Sequence, residues 1–334
     1  MKQFCENIWE AGEYSYGAAY GFVPNIRAYL HEEGSHDCLI VVPGGGYCVC
    51  VPQEGELVAK EFYQRGLNAF VLTYTTDITM SVPLKRQPLE DIARAVRFVR
   101  SRAKAYSLGK KLFVCGFSAG AHVCGTLAVH HDDVTDKNPA YTGISCRPDG
   151  ALLCYPVITT GPYTHHSSVE ALIGKHPSAG ELAYFSLEKN VTDKTPPCFL
   201  WQTATDELVP VQNSYLFATA LKEKGVPFAH YVFPNGFHGL STATEDFFQG
   251  NFGEPYTMEQ VRRAVKAVKA GKGINVSEQR KDELAAQFPD TPAQDGADKS
   301  AISAAPDEFF HVRADEYEDV RQWVKLAVLW MKKL

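Results

Sequence analysis

Short apolar runs alternate with longer amphipathic stretches over most of the chain. The apolar runs are nearly continuous, a pattern typical of strands that are covered on both faces. They predict strands at residues 22–30, 38–43, 68–74, 111–116, 150–157, 198–204 and 229–233. Because strands alternate with helices, we expect an α/β fold with a mainly parallel central sheet and helices on both faces.

Helical spacing of apolar residues predicts three long helices in this pattern. The first, at 88–106, carries its apolar residues on one face and its arginines outside that face. The second, at 211–224, stops at Gly225, a residue type that often ends helices. The third, at 314–333, again has an apolar side and comes last in the sequence.

The alternation stops between residues 242 and 312, where no strand pattern occurs. One basic helix is predicted at 257–270, and a polar segment follows near 289–306. A long stretch of this kind in a compact domain is usually a functional excursion, a lid or a disordered segment. We expect residues 1–334 to form a single domain with 242–312 as an insertion before the C-terminal helix. Within it, the aromatic-rich segment 245–256 is predicted to form one wall of the acyl or alcohol pocket, and the polar remainder a mobile flap. The alternative is a surface excursion that packs away from the site.

Charge and composition exclude some classes of function. The 334 residues include 33 Lys and Arg against 39 Asp and Glu, which gives a formal net charge of −6 at pH 7. A mildly acidic chain lacks the electrostatic footprint of a nucleic-acid-binding protein. No apolar run approaches the roughly 20 residues needed to cross a bilayer. The N-terminal residues do not show the pattern of a secretory signal.

The nine cysteines favour a reducing compartment. No two of them have the C-x-x-C spacing of zinc and redox sites. Several lie inside apolar, strand-like runs, as Cys115 and Cys154 do. We interpret them as buried, reduced thiols and predict a cytoplasmic location.

The strongest chemical signal is the run Gly116-Phe117-Ser118-Ala119-Gly120, which follows an apolar strand and precedes an alanine-rich helix. In this setting the G-x-S-x-G pattern is typical of a nucleophile on a sharp strand-to-helix turn. The small residues leave room for that turn, which lifts the hydroxyl clear of the sheet. The sequence therefore predicts Ser118 as a nucleophile.

A serine hydroxyl needs a base to take its proton, and the base needs an acid to orient it. In this type of architecture the acid follows the serine in the chain and the histidine comes last. Asp206 is the first carboxylate after strand 198–204 and is the predicted acid, with Glu207 as the alternative. His238 lies in a glycine-flanked loop just past strand 229–233 and is the predicted base.

Other histidines fit the role of the base less well. His230 lies within a predicted strand, and His311 lies at the far end of the insertion. Two adjacent pairs also occur, His130-His131 and His165-His166. Neighbouring helical residues point about 100° apart, so each pair cannot easily share one ion. We interpret both pairs as solvent-facing, and no metal is predicted.

A second glycine-rich run, Gly44-Gly45-Gly46, follows an early strand and precedes Tyr47. Glycines let the backbone approach a substrate closely and aim N–H groups at a developing oxyanion. The run lacks the lysine and hydroxyl residue of a phosphate-binding P-loop, so that reading fails and no cofactor is predicted.

Together these motifs resemble those of the α/β-hydrolase superfamily. They are P-G-G-G-Y at 43–47, G-F-S-A-G at 116–120, T-D-E-L-V-P at 205–210 and F-H-G at 237–239. More closely, the chain looks like the bacterial esterase/lipase group related to hormone-sensitive lipase, many of whose members resemble acetyl esterases acting on xylan oligosaccharides. The likeness covers residues 20–240 and 312–334, with Pro43 where the group usually has histidine.

The resemblance implies a role for each motif. Ser118 would be the nucleophile, His238 the base and Asp206 the residue that orients the base. The oxyanion hole would be formed by the N–H groups of Gly45, Gly46 and Ala119. The aromatic residues beside the motifs are the candidates for the substrate pocket, namely Tyr47, Phe117 and Phe237.

The predicted function is that of a serine carboxylesterase with no metal or cofactor, acting on small acyl esters. Acetyl groups on carbohydrate are favoured only through the resemblance. The expected partner is a small-molecule or oligosaccharide ester, with no nucleic acid and no membrane, and a homodimer is left open. Two alternatives remain: a serine peptidase or amidase on the same fold, and a non-catalytic protein that kept the fold to bind a ligand.

Overall fold

One sheet holds all eight strands in the part of the chain that the computed structural model describes, residues 1–289 and 314–334. The strands are β1 (Lys2–Asn7), β2 (Asn25–Leu30), β3 (His36–Val42), β4 (Asn68–Thr73), β5 (Leu108–Phe117), β6 (Gly150–Cys154), β7 (Cys198–Thr203) and β8 (Phe228–Phe233). Their order across the sheet is β1-β2-β4-β3-β5-β6-β7-β8. Strands β3 to β8 run parallel to one another. Strand β2 pairs antiparallel with β4 on one side and with β1 on the other. The prediction of a mainly parallel sheet is confirmed.

Helices cover both faces of this sheet, as predicted. They are α1 (Glu56–Tyr63), α2 (Gln87–Ser101), α3 (Ala119–His130), α4 (His166–Ile173), α5 (Ala179–Tyr184), α6 (Gln212–Glu223), α7 (Glu245–Phe248), α8 (Glu259–Lys269), α9 (Glu278–Gln287), α10 (Glu318–Arg321) and α11 (Trp323–Met331). Helices α2, α3 and α6 bury residues such as Val96, Leu127 and Leu221 against one face. Helices α1 and α11 bury Phe62 and Trp323 against the other.

The seven predicted strands correspond to β2 through β8, with some ends displaced by a few residues. Strand β1 was not predicted, because it is a largely exposed edge strand with few apolar residues. The helix predicted at 314–333 is divided. A 3₁₀ turn at Ala314–Tyr317 precedes α10, and a turn at Gln322 separates α10 from α11.

Residues 242–289 contain helices α7, α8 and α9 and, within these described residues, no strand. Helix α8 corresponds to the predicted basic helix. The basic side chains of this helix and of the residues just after it are exposed: Arg262, Arg263, Lys266, Lys269 and Lys272. On their apolar sides α8 and α9 pack with Ile78 in a cluster of buried residues that includes Val261, Val265 and Leu284. The predicted polar segment beyond residue 289 and His311 lie outside the described residues.

All nine cysteines lie within the described residues, where they are free thiols. Seven are buried, in agreement with the prediction. Cys48 is partly buried, and Cys5 is exposed because it lies on the edge strand β1. The described residues include no helix that is long and apolar enough to cross a membrane.

Candidate active site

The nucleophile candidate Ser118 lies on the turn between β5 and α3. Its backbone has φ 51° and ψ −118°, a conformation that non-glycine residues rarely adopt. A hydrogen bond of 3.0 Å from the Ser118 N–H to the carbonyl oxygen of Cys154 holds the turn. Gly120 is required here, because a Cβ at this position would lie 2.2 Å from the carbonyl oxygen of Val42. The turn therefore depends on close backbone packing that the small residues of the motif permit.

The glycine loop, Gly44 to Gly46, follows β3 and lies beside this turn. Gly45 has a φ of 120°, and a Cβ there would lie 2.5 Å from the carbonyl oxygen of Val49, so only glycine fits. Within the described chain, the N–H groups of Gly45 and Gly46 donate no hydrogen bond. The N–H of Ala119 belongs to the first turn of α3, where N–H groups have no partner inside the helix. These three groups are available to an oxyanion.

Three side chains form a continuous hydrogen-bonded chain. His238 Nδ1 lies 2.7 Å from Asp206 Oδ2, and His238 Nε2 lies 2.8 Å from Ser118 Oγ. A carboxylate only accepts, so Nδ1 carries the proton and Nε2 of the neutral ring accepts from the serine O–H. The N–H groups of Leu208 and Val209 fix Asp206 by donating to its Oδ1, at 3.0 and 2.9 Å. The structure thus brings the three predicted residues together in the arrangement that general-base activation requires.

The alternatives for the acid and the base lie elsewhere. Glu207 is exposed, whereas the side chain of Asp206 is fully buried against His238. His230 lies in β8, with its Nε2 3.1 Å from Ser214 Oγ.

A cavity of about 340 Å³ opens where these groups meet. Ser118, His238, Gly45 and Gly46 line it, so the candidate reacting groups face a space that a small substrate could enter. Much of the remaining wall comes from residues 242–289. These contribute Phe247, Phe248, Phe252, Arg280 and Gln287.

The predicted pocket residues Tyr47, Phe117 and Phe237 do not line this cavity, and that prediction is wrong. Phe117 is the last residue of β5, and its fully buried side chain lies in the core instead. Tyr47 is buried and donates from its hydroxyl to Nδ1 of His122 at 2.6 Å. Phe237 packs edge-on against Tyr317, with ring centroids 5.6 Å apart.

The segment 245–256 lies where it was predicted, since its three phenylalanines line the cavity. Tyr256, the fourth aromatic residue of the segment, does not line it. Its hydroxyl lies 3.2 Å from that of Tyr29, and the guanidinium of Arg27 lies over its ring at 4.5 Å. Tyr256 therefore fastens the segment to β2 outside the cavity.

Glu54, His165 and Arg280, which the motifs do not include, also line the cavity. His165 precedes α4, with Nδ1 2.7 Å from Ser168 Oγ, so its interpretation as solvent-facing is wrong. Burial, followed by the charge of His238, lowers the pKa of His165 to about 4. Arg280 donates from Nε and Nη2 to the carbonyl oxygen of Ile78, at 2.9 and 2.6 Å. Glu54 follows the glycine motif closely, whereas His165 and Arg280 are far from the motifs in the chain, and no spacing in the sequence marks any of the three.

The pair His130-His131 also differs from its interpretation as solvent-facing. His130 is buried, its ring stacks on that of Tyr184 at 3.8 Å, and its Nδ1 lies 2.8 Å from Asp133 Oδ2. Its Nε2 donates to the carbonyl oxygen of Tyr184 at 2.9 Å. Both ring nitrogens of His130 are thus engaged within the protein. Among the described residues, no group of three or more His, Cys, Asp and Glu side chains could hold a metal ion.

Four features together define a class of protein. A nucleophile candidate lies on a strained turn after a central strand, an acid follows β7, a histidine follows β8 and a glycine loop follows β3. The fold is the α/β-hydrolase fold, as the sequence predicts. Ligands in such open sheets bind at the carboxyl ends of the strands, where this cavity lies.

Comparisons with known proteins narrow the class to a family. The chain belongs to the BD-FAE family, whose model matches residues 26–221. It is 64% identical over 270 residues, 80% of this chain, to endo-1,4-beta-xylanase B of Butyrivibrio fibrisolvens. It is 26% identical over 226 residues, 65% of this chain, to the acetylxylan esterase of Xylanibacter ruminicola. The chain covers 42% and 43% of these two curated relatives, less than half of each.

A solved structure gives a match over nearly its whole length. The acetyl ester-xyloside bifunctional hydrolase from Caldicellulosiruptor lactoaceticus shares 34% identity with this chain and superposes with a TM-score of 0.68. The match covers 81% of this chain and 97% of that one. The resemblance to an esterase group of the α/β-hydrolase superfamily is confirmed.

Proposed function

We propose that this protein is a serine carboxylesterase that cleaves small acyl esters through an acyl-enzyme. The observation that carries the proposal is the hydrogen-bonded chain from Asp206 through His238 to Ser118. This series of hydrogen bonds ends at Ser118 in a cavity that the glycine loop also lines, and the N–H groups of that loop are available to an oxyanion. Hydrolysis of esters by the α/β-hydrolase relatives supports the reaction class.

In the first half of the proposed reaction, Ser118 Oγ attacks the ester carbonyl carbon while its proton passes to Nε2 of His238. Asp206 stabilises the imidazolium that forms. The N–H groups of the glycine loop and of Ala119 bind the negative oxygen of the tetrahedral intermediate. The carbon–oxygen bond to the alcohol then breaks, and the alcohol leaves with the proton from His238, so the acyl group stays on Ser118.

In the second half, water takes the place of the alcohol. His238 accepts a proton from the water as it attacks the acyl carbon, and the same N–H groups hold the oxyanion. The bond from the acyl carbon to Ser118 Oγ then breaks, and the proton on His238 returns to the serine. The products are a carboxylic acid and the free enzyme.

We also propose that the substrate is a carbohydrate ester with a small acyl group, acetyl in the first instance. Support comes from the names of the matched proteins, which refer to xylanase, acetylxylan esterase and acetyl ester-xyloside hydrolase activities. The cavity wall combines apolar rings with the polar side chains of His165, Arg280 and Gln287. Such side chains can exchange hydrogen bonds with sugar hydroxyls.

The non-catalytic alternative predicts that a member of the triad is missing, whereas this chain has Ser118, His238 and Asp206 in contact. A peptidase or amidase would use the same groups, so the leaving group has to be tested directly. A cytoplasmic location stays a prediction from the sequence.

The experiment has two arms. A fluorophosphonate probe is applied to the wild-type chain and to Ser118→Ala, and we expect labelling of the wild type only. Hydrolysis rates are then measured on aryl esters from acetyl to decanoyl, on acetylated xylo-oligosaccharides and on aryl amides. We expect the acetyl esters to be cleaved fastest and the amides not to compete. Labelling that persists in Ser118→Ala, or faster cleavage of amides than of esters, would refute the proposal.

A further inference from the structure

Glu54 is a buried carboxylate that the reaction above does not use. It ends the 3₁₀ turn Pro52–Glu54, is 3% exposed and lines the cavity. Its Oε2 accepts a hydrogen bond of 2.7 Å from the N–H of Gly44, the first residue of the glycine loop. Its Oε1 accepts a hydrogen bond of 2.7 Å from the hydroxyl of Tyr155. One carboxylate thus joins two parts of the chain that are distant in sequence.

Tyr155 extends this connection to the base. It follows β6, and its ring packs edge-on against the ring of His238, with centroids 4.9 Å apart. Its hydroxyl oxygen accepts from the N–H of Ser241, three residues after His238, at 3.1 Å. Ser241 in turn donates from Oγ to the carbonyl oxygen of Gln53 at 2.7 Å. The loop that carries His238 is therefore tied to the turn that carries Glu54 by two routes.

We propose that Glu54 is a positioning residue of the active site, which fixes the glycine loop through Gly44 and the loop of His238 through Tyr155. This inference rests on the function proposed above. An oxyanion hole acts through donors that are held in place before the reaction begins. Without the carboxylate, the Gly44 N–H and the Tyr155 hydroxyl would both lose a buried acceptor, and the donors next to Gly44 would lose their fixed direction.

The carboxylate of Glu54 also interacts electrostatically with the imidazole of His238, the proposed base. Burial raises the pKa of Glu54, while its two hydrogen bonds and the charge of His238 lower it. The same attraction works in the other direction, so an ionised Glu54 favours the protonated imidazole that forms during the reaction. His238 is also faced by the hydroxyl of Ser118, the carboxylate of Asp206, the imidazole of His165 and the ring of Tyr155.

The test compares Glu54→Gln with the wild type and with Glu56→Gln in the full chain. Glu56 is a matched control because it is also buried, pairs with Lys60 and does not line the cavity. We expect Glu54→Gln to lower kcat by about tenfold to hundredfold, with KM changed by less than about threefold, because donors are loosened while the cavity wall is kept. We expect Glu56→Gln to keep both constants within about twofold of wild type.

The pH profile separates positioning from simple support of the fold. In Glu54→Gln the ascending limb of kcat/KM should move to lower pH, because a negative charge near the base is lost. In Glu56→Gln the limb should stay in place. A folded Glu54→Gln variant with the kcat and the pH profile of the wild type would overturn the proposal.

A second variant covers the case in which Glu54→Gln does not fold. Tyr155→Phe keeps the bond from Gly44 to Glu54 but removes the link to the loop of His238. It should lower kcat by about threefold to tenfold, the effect of one lost hydrogen bond, and an unchanged kcat would overturn the coupling. Probe labelling of the wild type distinguishes the two ideas. A wild type that is neither labelled nor active refutes the proposed function, whereas a labelled wild type with an unaffected Glu54→Gln refutes only the role of Glu54.

Discussion

Two regions line the same cavity but are built in different ways. The turn of Ser118 and the glycine loop come from the ends of β5 and β3, which are central and buried, and backbone contacts leave them little freedom. The wall from residues 242–289 comes from α7, the loop that follows it and α9, all outside the sheet. The phenylalanines of α7 pack in a core cluster beside the sheet, whereas α9 packs with α8 and Ile78 in a separate cluster. The first region is formed by the ends of the sheet strands, whereas the second is formed by helices and a loop outside the sheet. We therefore expect changes in the first region to act on kcat and changes in the second to act on substrate choice.

The largest effect should come from Ser118→Ala, which removes the nucleophile from the first region. We expect a folded protein in which kcat falls by about 10⁶, by analogy with removal of the nucleophile of a serine protease. The measurement is the initial rate on an aryl acetate, with thermal unfolding as the check of the fold. A rate above about a tenth of wild type would refute the assignment.

His238→Ala should lower kcat by a similar factor, because the serine then has no base. His230→Ala is the matched control, since that side chain contacts Ser214 in the same part of the sheet and does not face the cavity. The control should keep its rate within about threefold of wild type. Equal losses in both variants would mean that the base is not His238.

Asp206→Asn should retain the fold and lower kcat by about 10⁴, because the amide would favour the wrong tautomer of the imidazole. Glu207→Gln, at the exposed neighbouring position, should leave kcat within about twofold. The kcat values of the two variants on the same ester show which of the two neighbouring carboxylates orients the base. A damaging Glu207→Gln with a nearly normal Asp206→Asn would show that Glu207, and not Asp206, orients the base.

The arrangement of the first region could be predicted because it depends on the backbone. Apolar runs locate the strands, and the positions just after them are where α/β sheets place their functional groups. Ser118, Asp206 and His238 each follow such a run, and the structure brings them together. The glycines were recognisable for the same reason, since Gly45 and Gly120 sit where a Cβ would collide with backbone.

Apart from the segment 245–256, the pocket could not be predicted in the same way, because nearness in sequence does not decide where a side chain points. Phe117 and Ser118 are neighbours, yet one lies in the core and the other faces the cavity. Glu54, His165 and Arg280 reach the cavity through tertiary packing that leaves no periodic signal in the sequence. The single domain with residues 242–312 as an insertion stays a prediction.

The smallest effect should come from Phe252→Ala in the second region. Phe252 lines the cavity and is partly exposed, so its removal leaves the sheet and the reacting groups in place. Loss of roughly 1–2 kcal/mol of apolar contact should raise KM for a decanoyl aryl ester by about fivefold to thirtyfold. For the acetyl ester, which is too small to reach the whole wall, kcat and KM should stay within about twofold.

Tyr256→Phe is the matched control for this last variant. Its ring belongs to the same segment but contacts Arg27 outside the cavity, so both esters should behave as with wild type. The informative quantity is the ratio of KM values for the two esters, because a general loosening of the segment would alter both. If Phe252→Ala lowered kcat equally for both esters, this wall would act on the reaction itself. The division between a region that sets the chemistry and one that selects the substrate would then be wrong.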